Sequence, residues 1–237
     1  MIASGRVRVG AVTSPKPGTL VAPVDPLHVE DPSPYVGRGA YKLDAALEAF
    51  PVAVAGRRAI DVGASTGGFT DRLLQGGAVS VVAVDVGHGQ LHWRIRQDPR
   101  VVAVERTNIR TADPEALGAP FDVVVADLSF ISLATVAAAL ARLGEATSDW
   151  IVLVKPQFEV GKGRVGKGGV VRDASTRASA IHSAVDALAD AGVGAKGIVP
   201  SPITGAAGNQ EYLVWARRGA RDLRTETIDR IARDGHG

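Results

Sequence analysis

The chain has 237 residues, more than one average domain and fewer than two, so one main domain with a small appendage is expected. With 46% apolar and 22% charged residues it can pack a core over most of its length, which excludes a disordered chain. Its 27 Lys and Arg against 25 Asp and Glu leave a net charge of +2, so any surface for nucleic acid must be local, and the absence of cysteine excludes disulfides, thiolate metal sites and a cysteine nucleophile. The longest apolar runs, such as Val81 to Val84 and Val136 to Ala141, fall far below the roughly 18 residues of a membrane span. Arg6 and Arg8 interrupt the one N-terminal stretch that could serve as a secretory signal, so a cytoplasmic protein without membrane contact is expected.

Pro15, Pro17, Pro23, Pro26, Pro32 and Pro34 favour extended pieces and turns near the N-terminus, so residues 1–34 read as an appendage and linker. Ala40 to Phe50 has Leu43, Ala46, Leu47 and Phe50 on one face and reads as an amphipathic helix ended by Pro51. Short β-branched runs then alternate with helical stretches. Strands are expected at Ala59 to Val62, Val79 to Asp85, Val101 to Val104, Phe121 to Asp127, Trp150 to Val154, Ala195 to Val199 and Glu211 to Ala216. Consecutive apolar residues in VVVAD and WIVLV require cover on both strand faces, as in a mostly parallel sheet with helices on both sides. Asp173 is an N-cap candidate for a helix that carries Ile181, Val185 and Leu188, exposes His182 and stops at Gly192. The main α/β domain is expected to cover residues 35–220, with 221–237 as a tail.

The segment Ile60 to Thr70, IDVGASTGGFT, places an acidic residue on a strand, then a turn of small residues, then a helix ending near Gln75. This is the layout of a nucleotide or cofactor site at the carboxyl end of a strand, with Gly63, Gly67 and Gly68 allowing close backbone approach. The dinucleotide spacing needs glycine at 63, 65 and 68, and position 65 is Ser. A methyl donor such as S-adenosylmethionine has no pyrophosphate and suits the turn better: Asp61 can approach its ammonium group and Asp85 can accept both ribose hydroxyls. Asn108 can meet the adenine edge or simply form a turn.

Polar residues also stand at strand ends near this site: Asp127 in VVADLSFIS and Lys155 in VLVKPQFEVGKG, with Lys42 in GRGAYKL and Glu211 in GNQEYLVW completing two ammonium groups and two carboxylates. Such a network can tune one lysine for proton transfer. From Gly37 to about Arg217 the motifs GRGAYKL, DVGASTGGFT, VVAVDVGHGQL, DPRV, ERTN, VADLSFISL, VKPQFEVGKG, GGVVRD and GNQEYL resemble the TlyA-type, hemolysin A-like ribosomal RNA 2'-O-methyltransferases, relatives of the FtsJ/RrmJ ribose methyltransferases.

The resemblance implies a Rossmann-like S-adenosylmethionine-dependent methyltransferase fold with a seven-stranded sheet. It implies a catalytic tetrad of Lys42, Asp127, Lys155 and Glu211, with Lys155 as the base and no metal. The donor would be held by Gly63, Ala64, Ser65, Gly67, Gly68 and Phe69 of the turn and by Asp85, beside Asp61 and Asn108. The substrate would be ribosomal RNA or a ribosomal subunit, with cytidine as the target nucleoside. Residues 1–34 resemble only the later half of the family's N-terminal RNA-binding domain, a remnant in which Arg6, Arg8 and Lys16 can touch phosphate.

Gly161 to Gly169, GKGRVGKGG, nearly matches a phosphate loop but has Gly168 where Ser or Thr must reach magnesium. Between Lys155 and Arg177 the cations Lys155, Lys162, Arg164, Lys167, Arg172 and Arg177 face only Glu159 and Asp173, a local excess suited to an RNA backbone. A nicotinamide-dependent reductase is disfavoured by Ser65 and by the lack of a Tyr-x-x-x-Lys pair after the fourth strand, and membrane lysis by the lack of any apolar span or basic amphipathic helix. The alternative that remains is an RNA-binding or assembly factor that keeps the fold without turnover.

Overall fold

The computed structural model describes residues 2, 7–10, 12, 15–16, 18–29, 33–161, 163, 165–220 and 223–234, with backbone alone at 167. The chain divides into two compact units, Met1–Tyr35 and Val36–Gly237. In the first, β1 (Val7–Val9) pairs antiparallel with β2 (Leu27–Val29), Val7 opposite Val29.

In the second unit the elements run α1 (Gly39–Ala49), β3 (Arg58–Val62), α2 (Gly68–Gln75), β4 (Ser80–Val84), α3 (Trp93–Arg96), β5 (Val101–Val104), β6 (Phe121–Ala126), α4 (Leu133–Ala141), β7 (Gly144–Val154), α5 (Pro156–Glu159), α6 (Ala174–Asp190), β8 (Val193–Pro200), β9 (Tyr212–Arg218) and α7 (Thr225–Asp234). The strands form a seven-stranded sheet in the order β5-β4-β3-β6-β7-β9-β8. It is parallel from β5 through β7, and β9 enters antiparallel between β7 and β8.

The apolar runs serve both faces. Val123 and Val125 of β6 pack with Leu43 and Ala46 of α1, Leu73 of α2 and Ile95 of α3, whereas Val124 and Ala126 pack with Val136 and Leu140 of α4 and Ile181 and Leu188 of α6. Each pair alternates along the strand, as the twofold side-chain period demands. Asp173 caps α6 by accepting from Thr176 N at 2.7 Å, and Gly192 at φ 81 closes it.

Three expectations change. Residues 221–237 are not a tail throughout: α7 buries Ile228 and Ala232 in the core beside α6. His182 is therefore half-buried, its Nε2 3.1 Å from Asp229 of α7. Strand β7 begins at Gly144, ahead of Trp150, because the buried Asp149 is held by Arg57, Arg217 and the Trp215 indole, which lets a polar stretch join the sheet.

The carboxyl ends of the parallel strands deliver the polar residues to one edge. Val62 leads into the glycine turn, Val84 into Asp85, Ala126 into Asp127 and Val154 into Lys155. The chain reverses its direction of sheet growth between β3 and β6, where such folds open their crevice.

Candidate active site

The turn after β3 adopts left-handed backbone at Gly63, Ser65 and Gly67, with φ of 88, 48 and 92. A Cβ on Gly63 would lie 2.5 Å from the Asp127 carbonyl oxygen, so glycine here lets the turn rest on the end of β6. Asp85 takes the Ser65 and Gly87 amides on its two carboxylate oxygens, at 2.8 and 2.6 Å. A cleft of about 480 Å³ opens beside it, lined by Gly63, Ser65, Asp85, Asn108, Asp127 and Phe130, with Val84, Val86, Ile109 and Leu128 supplying apolar walls. Asn108 lines this cleft, and its Oδ1 accepts from Arg110 N at 3.1 Å, the local bond of a turn-forming Asn.

Asp61 is fully buried on β3. Burial pushes its carboxyl up to about 7, against the opposing hydrogen bond that Thr70 Oγ1 donates at 2.6 Å, and its Oδ1 has no partner. Gly67 departs from its expected role. It lines neither the cleft nor the hollow beside it, and a Cβ there would meet Leu91 at 2.8 Å and Ile95 at 3.3 Å, so this glycine serves the packing of α3. Gly63, Ala64, Ser65, Gly68 and Phe69 do line that second hollow, of about 330 Å³.

Lys42, Asp127 and Lys155 line the hollow and Glu211 is buried behind Lys42, the four brought together from four elements or their ends. Lys42 on α1 donates to Glu211 at 2.6 Å and lies 3.5 Å from Asp127 Oδ2. Asp127 Oδ1 lies 2.6 Å from Lys155 Nζ, an ion pair rather than an aligned hydrogen bond, while that Nζ donates to Ser129 Oγ at 2.8 Å. Lys42, Lys155 and Glu211 are buried, and two cations balance two anions, so none of these buried charges stands uncompensated. The hollow and the cleft share Gly63, Ser65, Asp127 and Ser129, which puts the network at their junction.

Sequence reasoning passed over Ser129, although it sits two residues after Asp127, and over Arg38 and the turn 203–206 at the rim, where Arg38 donates to Thr204 O at 3.3 Å. The local positive excess also needs correction. Arg177 is buried and donates to the Ala232 and Arg172 carbonyls, and Lys155 belongs to the network, so neither is a surface cation. Arg172 is exposed; Arg6, Lys162, Arg164 and the Lys167 side chain lie outside the described residues. Glu159 accepts from Leu133 N with both oxygens, at 3.0 and 3.2 Å, and burial pushes its carboxyl up to about 7 despite that bond. Among the described residues no helix is long and apolar enough to cross a membrane.

Residues 35–218 match the FtsJ-like methyltransferase family. The chain is 52% identical over 219 residues to the 16S/23S rRNA (cytidine-2'-O)-methyltransferase TlyA of Mycobacterium tuberculosis, covering 92% of this chain and 82% of that protein. A Streptococcus thermophilus protein solved under the hemolysin name superposes with a TM-score of 0.85 at 36% identity, over 99% of this chain and 87% of that one. Aeropyrum pernix fibrillarin, solved with bound S-adenosyl-L-methionine, shares the fold at a TM-score of 0.55 and 17% identity, over 75% of each chain. A glycine turn after the first strand of the parallel sheet, an acidic residue ending the next and this match over the second unit lead to one conclusion: the chain belongs to the FtsJ-like methyltransferase family, with the Rossmann-like sheet of S-adenosylmethionine-dependent methyltransferases.

Proposed function

We propose that this enzyme transfers a methyl group from S-adenosylmethionine to a ribose 2'-hydroxyl of ribosomal RNA, at cytidine, acting on the RNA or on a ribosomal subunit in the cytoplasm. The observation that carries the reading is the Lys42–Asp127–Lys155 chain of contacts at the junction of cleft and hollow. The cleft fits the donor. It has apolar walls for a base and a carboxylate at Asp85 with acceptor sites left for two ribose hydroxyls; Asp61, with its unpartnered Oδ1, is buried on β3 and lines neither the cleft nor the hollow. When bound, S-adenosylmethionine supplies a methyl group on a sulfonium that carries its own leaving group.

The protein's part is positioning and proton transfer. Lys155, once it has released to solvent the proton it carries in the ion pair with Asp127, accepts the proton of the 2'-hydroxyl as that oxygen attacks in line. The new ammonium forms 2.6 Å from the Asp127 carboxylate, which offsets its charge, and Ser129 fixes where Nζ points. Lys42, steered by Glu211 and Asp127, steadies the developing alkoxide or the adjoining phosphate. The small β1–β2 sheet contributes RNA contact, Arg8 and Lys16 meeting backbone phosphates, and residues 35–220 are the catalytic domain.

Unmethylated ribosomal subunits incubated with the protein and labelled donor should yield 2'-O-methylcytidine by nucleoside mass spectrometry. Lys155→Ala should lose the product while calorimetric donor affinity stays within about a few-fold, the pattern of a transition-state role. Label on a base, or full turnover by the variant, would refute the reading.

A further inference from the structure

The glycine-rich stretch after α5 and the turn between β8 and β9 have no part in the proton transfer itself, yet one buried side chain joins them. Asn209 is 1% exposed. Its Oδ1 accepts from Val171 N at 2.9 Å, its Nδ2 donates to Gly169 O at 2.8 Å, and its backbone carbonyl accepts from Gly205 N at 2.9 Å. The side-chain amide thus uses one donor and one acceptor on backbone groups two residues apart, a pairing that a carboxylate cannot reproduce.

On its other side the same residue closes the turn whose Thr204, Gly205 and Ala206 line the hollow. That turn packs hard against the network: a Cβ on Gly205 would lie 2.6 Å from Glu211 Oε1. None of residues 169–171 or 205–211 lines the donor cleft. The clamp therefore borders the hollow and not the donor cleft.

We infer that Asn209 is a positioning residue for the RNA: it holds the turn 203–206 and the base of the glycine-rich stretch in register with Glu211, and so sets where the acceptor ribose meets Lys155. This rests on the RNA-methylation reading above. It separates the acceptor side from the donor side, which share Gly63, Ser65, Asp127 and Ser129 but not this clamp.

The test uses the full chain and unmethylated ribosomal subunits. Asn209→Asp keeps the size and the acceptor for Val171 N but loses the donor to Gly169 O. It should raise the KM for subunits or lower kcat by on the order of tenfold, with the calorimetric Kd for S-adenosylmethionine within about twofold of wild type. If that variant does not fold, Asn209→Ser, which adds no charge, carries the same comparison. Hydrogen exchange should quicken at Val171 and Gly205 in either variant, while the β3–β4 core stays protected. Wild-type kcat and KM in the folded variant would overturn the inference. Donor affinity falling as far as turnover would overturn it too, since that marks general loosening. A wild-type protein that methylates no subunit would instead defeat the underlying reading, a separately visible result.

Discussion

Gly63→Ala tests whether the glycine turn and the proton-transfer network form one mechanical unit. The added Cβ would start 2.5 Å from the Asp127 carbonyl oxygen, 3.1 Å from its carbon and 3.2 Å from Leu128 Cδ2. Carbon and oxygen tolerate about 3.3 Å at closest, so the turn and the end of β6 must part by about 0.8 Å. A left-handed residue with a side chain costs about 1–2 kcal/mol at the φ of 88 found here, and forced repacking costs about 1–3 kcal/mol more. At about 2–4 °C per kcal/mol for a domain of this size, melting should fall by roughly 4–20 °C. Turnover should fall further than stability suggests. The displaced carbonyl belongs to the residue whose carboxylate bridges Lys42 and Lys155, and a misplacement near 1 Å costs about 100-fold. Scanning fluorimetry and single-turnover methylation at saturating donor measure the two effects. Melting within about 2 °C of wild type together with turnover within about twofold would refute the reasoning.

Gly67→Val should fail by a different route: its side chain would enter the space of Leu91 and Ile95, so soluble yield and near-ultraviolet dichroism should collapse rather than donor affinity alone. Asp149→Ala removes the acceptor shared by Arg57, Arg217 and the Trp215 indole at the strand ends away from the site, and urea unfolding should show a loss of about 3 kcal/mol with donor affinity unchanged. Glu159→Gln should gain stability relative to wild type as pH rises. Burial holds the Glu159 carboxyl at about 7 against its ordinary 4.5, so the folded protein binds that proton more tightly and wild type loses stability between those values. The melting-temperature difference should therefore widen from pH 4.5 to 7 and level off above; a difference that shrinks over this window would refute the assignment.

Much of the main domain was legible from local pattern. Runs such as VVVAD announce strands covered on both faces, and each of the seven expected strands lies within or beside an observed one. The glycine turn was legible because left-handed backbone leaves a compositional trace, and Asp85, Asp127 and Lys155 because polar residues directly after apolar strands have no place in a core. Helix α7 was missed even though Ile228, Ile231 and Ala232 share one face. Its ten residues are mostly polar, and the apolar stripe acquires meaning only against α6.

Partnership was not legible. Lys42 and Glu211 are 169 residues apart in sequence, and what joins them is the insertion of antiparallel β9 next to β7, a consequence of strand order that no local period encodes. Gly67 read as a donor contact because glycine composition reports conformational freedom and not direction, and only the packing of Leu91 and Ile95 shows which way a side chain there would point. Arg177 counted as a surface cation for the same reason: a charge in a sequence carries no depth, and its burial follows from the carbonyls of Arg172 and Ala232 that converge on it once α7 has docked. Local chemistry determines which residues can form strands, turns and ionisable groups. Which of them meet is decided by long-range packing, because distances across a sheet depend on topology rather than on separation along the chain.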